Sequence, residues 1–170
     1  MDKLQAAKEL QKMIDLLPER LDITDARRKA ALEIAVKELK RMVRGVDVSE
    51  NNGQVNWQAV KDAGIDFAII RLGYGNKHLD GRFYENINSA IAAGLQIGVY
   101  YYSYALTVEA AKAEADFAID ILKDCGIDPE DLEMGVWFDM EDADGYKREN
   151  GMPDNQTITD MCSAFIVECN

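Results

Sequence analysis

Asp139 and Glu141 stand two residues apart in the run Trp137-Phe138-Asp139-Met140-Glu141-Asp142. On an extended strand that spacing sends both carboxylates to one side, with Cα atoms ~6.5 Å apart, and turns Met140 away. Two acids held this close cannot both ionise freely, so one is pushed toward the range of a working acid and the other stays anionic. Cleaving a glycosidic bond takes such a pair: one carboxyl protonates the leaving oxygen, and one carboxylate stabilises the positive charge developing at the anomeric carbon. Aromatic residues accompany the acids. Tyr100, Tyr102, Tyr104 and Trp137 offer flat apolar faces with polar handles, suited to the faces of sugar rings. A plainer reading stands beside this one, because acids at a strand end often mark a solvated loop and tyrosine-rich strands are commonly core and rim.

Other chemistries find less to build on. The single histidine, His78, lies in a polar loop and reads as a surface residue, so Ser-His-Asp and Cys-His mechanisms lack a base. Cys125, Cys162 and Cys169 have neither the number for a closed disulfide framework nor the spacing of a metal knuckle. The acidic run Asp139 to Gly145 suggests a calcium loop, but aligning Gly145 to the loop glycine puts Met140 at the first ligand position. No Gly-x-Gly-x-x-Gly or Walker sequence follows a strand, and Gly73-Tyr74-Gly75 is the nearest approach. Asn155-Gln156-Thr157 is formally a glycosylation sequon and reads as idle.

The elements that must position the acids follow from hydrophobic spacing. Short apolar runs at Val46 to Ser49, Phe67 to Leu72, Ile97 to Tyr102 and Val136 to Phe138 read as buried strands. Helical spacing fills the gaps: Trp57 to Ala63 ends at Gly64, Phe83 to Ala93 ends at Gly94, and Val108 to Lys123, capped by Thr107, ends before Gly126. A last helix spans Thr157 to Glu168. Such alternation predicts an α/β fold of parallel strands with right-handed crossovers, either a doubly wound sheet or a β/α barrel. Function in these folds gathers at the carboxyl ends of strands. Those ends are Asp47-Val48-Ser49, Arg71-Leu72-Gly73-Tyr74, Tyr100 to Tyr104, and Trp137 to Asp142.

Ahead of this region, Leu4, Ala7, Leu10, Met13, Ile14 and Leu17 form one helical stripe stopped by Pro18. A second helix, capped by Thr24 or Asp25, carries Ala30, Ile34, Ala35, Leu39, Met42 and Val43. Together they predict a two-helix hairpin over residues 1–44, read as a packing or interaction element. The boundary near Arg44 coincides with a change of sign: residues 1–44 hold 11 basic and 8 acidic side chains, residues 45–170 hold 8 and 23.

Composition limits the partners. A net charge of −12 argues against nucleic acid. With 48% hydrophobic residues and no apolar window long enough to span a bilayer, a soluble protein without a membrane partner is expected. The N-terminus, Met1-Asp2-Lys3-Leu4-Gln5, lacks the apolar core of a signal peptide, so synthesis in the cytoplasm is expected, with another exit for any work outside.

Taken in order, the strand-end residues resemble the family 25 glycoside hydrolases, lysozymes (N-acetylmuramidases) of the Chalaropsis and phage endolysin type. The resemblance runs through Gly45-Val46-Asp47-Val48-Ser49, Val55-Asn56-Trp57, Phe67-Ala68-Ile69-Ile70-Arg71, Gly73-Tyr74-Gly75, Phe83-Tyr84-Glu85-Asn86, Gly98 to Ala105 and Asp139-Met140-Glu141. It implies that Glu141 is the general acid, Asp139 the stabilising carboxylate and Asp47 an acid lining the same groove. Tyr100, Tyr102 and Trp137, with Arg71 and Tyr74 of the matching second strand and loop, become substrate-binding candidates. The implied substrate is bacterial cell-wall peptidoglycan, cut at the β-1,4 bond between N-acetylmuramic acid and N-acetylglucosamine without metal or organic cofactor. The implied fold is a partial (β/α) barrel of about four parallel strands with crossover helices, since residues 45–170 are short for a barrel of about 250 residues. The domain is therefore expected to be truncated after its fourth strand-helix unit, with its open edge covered by the hairpin or by a second copy in a homodimer. A catalytically incomplete glycan-binding or structural module is the alternative.

Overall fold

The computed structural model describes residues 3–17, 23–41 and 43–169. The chain divides into two units, Met1–Val43 and Arg44–Asn170.

The first unit pairs α1 (Lys3–Asp15) with α2 (Ile23–Lys40). Ala7, Ile14 and Val36 are buried. Met13 and Ile34, expected on the apolar faces, are instead 54% and 63% exposed. The inward stripe of α2 runs through Leu32, Val36 and Leu39 at four- and three-residue steps, and Ile34 falls outside it. The described part of α2 begins at Ile23, which places Asp25 in its first turn. Pro18 and Met42 fall outside the described residues.

The second unit runs β1 (Gly45–Val48), a 3₁₀ turn (Glu50–Asn52), α3 (Trp57–Asp62), β2 (Phe67–Tyr74), β3 (His78–Leu79), α4 (Phe83–Ala92) and β4 (Gln96–Tyr102). It continues with α5 (Val108–Asp124), β5 (Gly135–Asp139), α6 (Tyr146–Glu149) and α7 (Asn155–Glu168). Strands β1, β2, β4 and β5 pair in parallel in that order, and β3 turns back antiparallel against β2. This is the expected α/β arrangement of four parallel strands with crossover helices.

Local chemistry fixes the helix ends. The Thr107 hydroxyl accepts the Ala110 N–H at 3.2 Å to start α5, and the Asp154 carboxylate accepts the Thr157 N–H at 2.8 Å to start α7. Gly94 and Gly126, after α4 and α5, take the left-handed φ values of 73° and 66° that side chains resist. Two short elements, β3 and α6, escape a reading based on periodicity because neither is long enough to show a period. His78, expected in a loop, stands in β3 with its ring stacked on Tyr74 at 5.3 Å.

Strand alternation gives the sheet two unlike faces. Val48, Ala68, Ile70, Leu72, Ile97, Val99 and Tyr101 are buried beneath Phe83 and Ile87 of α4, Ala115 and Ala118 of α5, and Phe165 of α7. Phe138 and Phe165 stack at 4.0 Å, which ties α7 to β5. Asp47, Ile69, Arg71, Tyr100, Tyr102, Trp137 and Asp139 project from the opposite face into a groove. Register in β2 slips between Arg71, opposite Tyr100, and Gly73, opposite Tyr101, so Leu72 is an extra residue. Gly73 is also required by space, since a Cβ there would collide with the His78 carbonyl oxygen.

Candidate active site

At the carboxyl ends of the parallel strands a groove of ≈ 670 Å³ is lined by Asp47 of β1, Arg71 of β2, Tyr100 and Tyr102 of β4, and Trp137 and Asp139 of β5. Glu141 closes it from the loop that follows. The register that builds this wall is explicit: Arg71 pairs with Tyr100, Tyr100 with Trp137, and Tyr102 with Asp139. Of the acids, aromatics and arginine singled out in the sequence, Tyr74 and Tyr104 lie outside this groove. They line the adjoining hollow with Glu50 and Asp144, and that hollow shares Arg71, Tyr102 and Glu141 with the groove.

One geometric expectation is corrected. Strand β5 ends at Asp139, so Glu141 does not share its pleat and reaches the groove as an exposed loop residue. Asp139 is half-buried. Burial, with Glu141 and Asp47 nearby, pushes its carboxyl above the usual aspartate range, and only Lys147 pulls it back. The like-charge crowding expected of the acid pair thus adds to burial at Asp139.

The aromatic wall is varied. Trp137 is 56% exposed and anchors its ring N–H on the Met134 carbonyl at 2.7 Å, which leaves a face toward solvent. Burial raises the Tyr100 and Tyr102 hydroxyls above the tyrosine norm, so both remain neutral donors in the groove. Tyr102 meets Tyr104 edge-on at 5.6 Å, and Tyr104 stacks on Tyr146 at 4.4 Å.

Arg71 is largely committed elsewhere. Its guanidinium donates to Asp80 at 2.8 Å and Glu50 at 3.0 Å, and it lies 4.8 Å from the centre of the Tyr74 ring. Asp80 also accepts the Glu50 and Arg82 N–H groups. Sequence reasoning missed Glu50 and Asp80, and it missed the buried trio Ser103, Glu114 and Lys147 behind the acids. Nothing in their local spacing marks them, because each is made significant by a partner distant in the chain.

Among the described residues no group of three or more His, Cys, Asp or Glu is arranged to hold a metal ion. None of the described helices is long and apolar enough to cross a membrane. Cys125, Cys162 and Cys169 are half-buried free thiols.

Known proteins resemble this chain in sequence and in fold. Lysozyme M1 of Streptomyces globisporus is 37% identical over 75 residues, which take in 44% of this chain and 25% of that protein. The modular autolysin LytC from Streptococcus pneumoniae, solved in complex with a synthetic peptidoglycan ligand, superposes with a TM-score of 0.64 at 25% identity. That superposition covers 74% of this chain and 29% of LytC. A family 25 glycosyl hydrolase from Bacillus anthracis shares the fold, with a TM-score of 0.60 at 18% identity over 76% of this chain and 56% of its own. This chain therefore spans a quarter of the length of the Streptomyces relative. The sequence profile of glycosyl hydrolases family 25 matches residues 46–170, and the chain belongs to that family.

Proposed function

We propose that this chain carries the acid-bearing half of a peptidoglycan muramidase, acting on the β-1,4 bond between N-acetylmuramic acid and N-acetylglucosamine. The observation that carries the reading is the shared groove, in which Asp47, Asp139 and Glu141 face the same space as Tyr100, Tyr102 and Trp137. Glu141, exposed at the groove edge, protonates the leaving oxygen. Asp139, below it, stabilises the charge that develops at the anomeric carbon, and Asp47 adds to the negative field. The tyrosine hydroxyls and the Trp137 face hold the sugar rings against this wall. No residue here is assigned to hold a metal or an organic cofactor.

Clearing of Gram-positive cell-wall suspensions tests the reading. Wild-type protein should clear them and Glu141→Gln should not; equal rates for the two remove the assignment. The acid roles are separated by pH: the variant that loses the alkaline limb of the rate profile, Glu141→Gln or Asp139→Asn, held the donated proton. A second reading, a module that binds wall glycan without turning it over, is favoured by the exposed Trp137 face in the groove. Saturable binding of muropeptides with no new reducing ends would select it. Under either reading the partner is the bacterial cell wall, and a homodimer, if formed, gives twice the chain mass by light scattering.

A further inference from the structure

Lys147 is 2% exposed, a rare position for an ammonium. Among the described residues its Nζ is bonded not to a carboxylate but to two backbone carbonyls, those of Ser103 and, at 2.6 Å, Glu141. The first belongs to the residue just after β4, and the second to the residue at the groove edge. The same helix turn is held from the other direction: the Asp142 carboxylate accepts the Lys147 N–H at 2.7 Å and the Arg148 N–H at 3.3 Å. The segment from Asp139 to α6 is thus closed on itself, with Lys147 as the strut between the Glu141 backbone and the end of β4. The ammonium also lies 5.9 Å from the Tyr102 ring centre. Behind it, buried Glu114 accepts the Ser103 hydroxyl at 2.6 Å and the Tyr104 N–H at 3.0 Å, which fixes the strand end that Lys147 grips.

We infer that Lys147 is a positioning residue for the acid pair, holding the Glu141 backbone against β4 and placing one positive charge behind the groove. The kinetic part of this inference rests on the muramidase reading. An apolar side chain of similar length could fill the space, but it could not donate to both carbonyls or oppose the acids. The groups facing Asp139 come from every neighbouring element: Asp47 of β1, Arg71 of β2, Tyr100 and Tyr102 of β4, Glu141 of the loop and Lys147 of α6. Burial raises its carboxyl most, Glu141 and Asp47 raise it further, and Lys147 is the group that lowers it.

Lys147→Met in the full chain tests this. Turnover should fall at least about tenfold with KM within about twofold, because geometry at the acids is lost while the sugar-binding wall remains. The acid limb of the pH–rate profile should move to higher pH, because Asp139 then ionises later. A fall in turnover with an unmoved acid limb would mean a merely structural lysine and would overturn the inference. Carboxyl-carbon NMR of Asp139 gives a readout independent of activity. If wild type does not clear cell walls, the muramidase reading fails, yet an upward titration shift in folded Lys147→Met still supports the positioning charge, and an unchanged titration overturns it. Should Lys147→Met not fold, acetic anhydride labelling of the wild type decides. Lys147 should acylate at least about tenfold more slowly than exposed Lys77, whereas equal rates refute a buried, carbonyl-bound ammonium.

Discussion

Two sets of carboxylates sit at the same end of the sheet, and their fates differ. Glu50 and Asp80 converge on the Arg71 guanidinium, and the Asp80 side chain is fully buried. Glu50 also takes the Gly81 N–H at 2.8 Å. Their charge is spent internally, on pinning the loops after β1 and β3. Arg71 lines the groove with Asp139 and Glu141, but its guanidinium is bonded to Asp80 and Glu50. Lys147 reaches the Glu141 backbone, not its carboxylate, so the negative charge of the pair is left facing the groove. Residue type does not separate a structural acid from a chemical one here. The separation is made by whether a cation and backbone N–H groups have already saturated the carboxylate.

The sharpest way to break this contrast is Glu141→Gln, which should cut turnover by roughly 10²- to 10⁴-fold while leaving the unfolding midpoint in urea unchanged, as expected for an exposed proton donor. Asp80→Ala should do the reverse. It leaves Arg71 with Glu50 as its one carboxylate partner among the described residues and strips the acceptor from the Glu50 and Arg82 N–H groups, so unfolding free energy should drop by about 3 kcal/mol, read by denaturant titration. Next comes Glu114, whose carboxyl is pushed up by burial from 4.5 to about 7. Between those values the unfolded chain releases this proton before the folded one does. Stability therefore falls as pH rises through that window and levels off above it, by at most about 3 kcal/mol. Glu114→Gln should flatten that slope, and a slope that persists assigns it to other groups. The smallest effect belongs to Trp137→Ala. Loss of an exposed stacking face should weaken muropeptide binding by about 1 kcal/mol, roughly fivefold, with no change in the pH profile.

How far the sequence could be read depends on the range of the forces involved. Asp47, Tyr100, Tyr102, Trp137 and Asp139 share a wall because strand alternation is local and the order of strands follows from crossover handedness. Thr107 and the glycines after the helices were legible for the same reason, since caps act over three or four residues. Glu141 was assigned to the right groove for the wrong reason, as its place comes from a loop. The Arg71 cluster lay out of reach because its partners stand 21 and 9 residues away. Lys147 lay further still: it meets Ser103 across 44 residues, from a four-residue helix too short to announce itself. In the first unit, Met13 and Ile34 were misplaced because several apolar stripes can be drawn on an alanine-rich helix, and only packing selects one.

The inserted Leu72 has one more consequence. In an uninterrupted strand, residues 71 and 74 face opposite ways; with one residue looped out of register, Arg71 and Tyr74 stand opposite Tyr100 and Tyr102 on the same side. The bulge works as a change of reading frame within the strand. Upstream of it the sheet is written for the core, and downstream the same alternation is re-phased so that a tyrosine joins the cation that anchors the loops. Were Leu72 instead taken into the ladder as an ordinary paired residue, every side chain of the loop chemistry would remain in the protein, but Tyr74 would turn to the opposite face from Arg71.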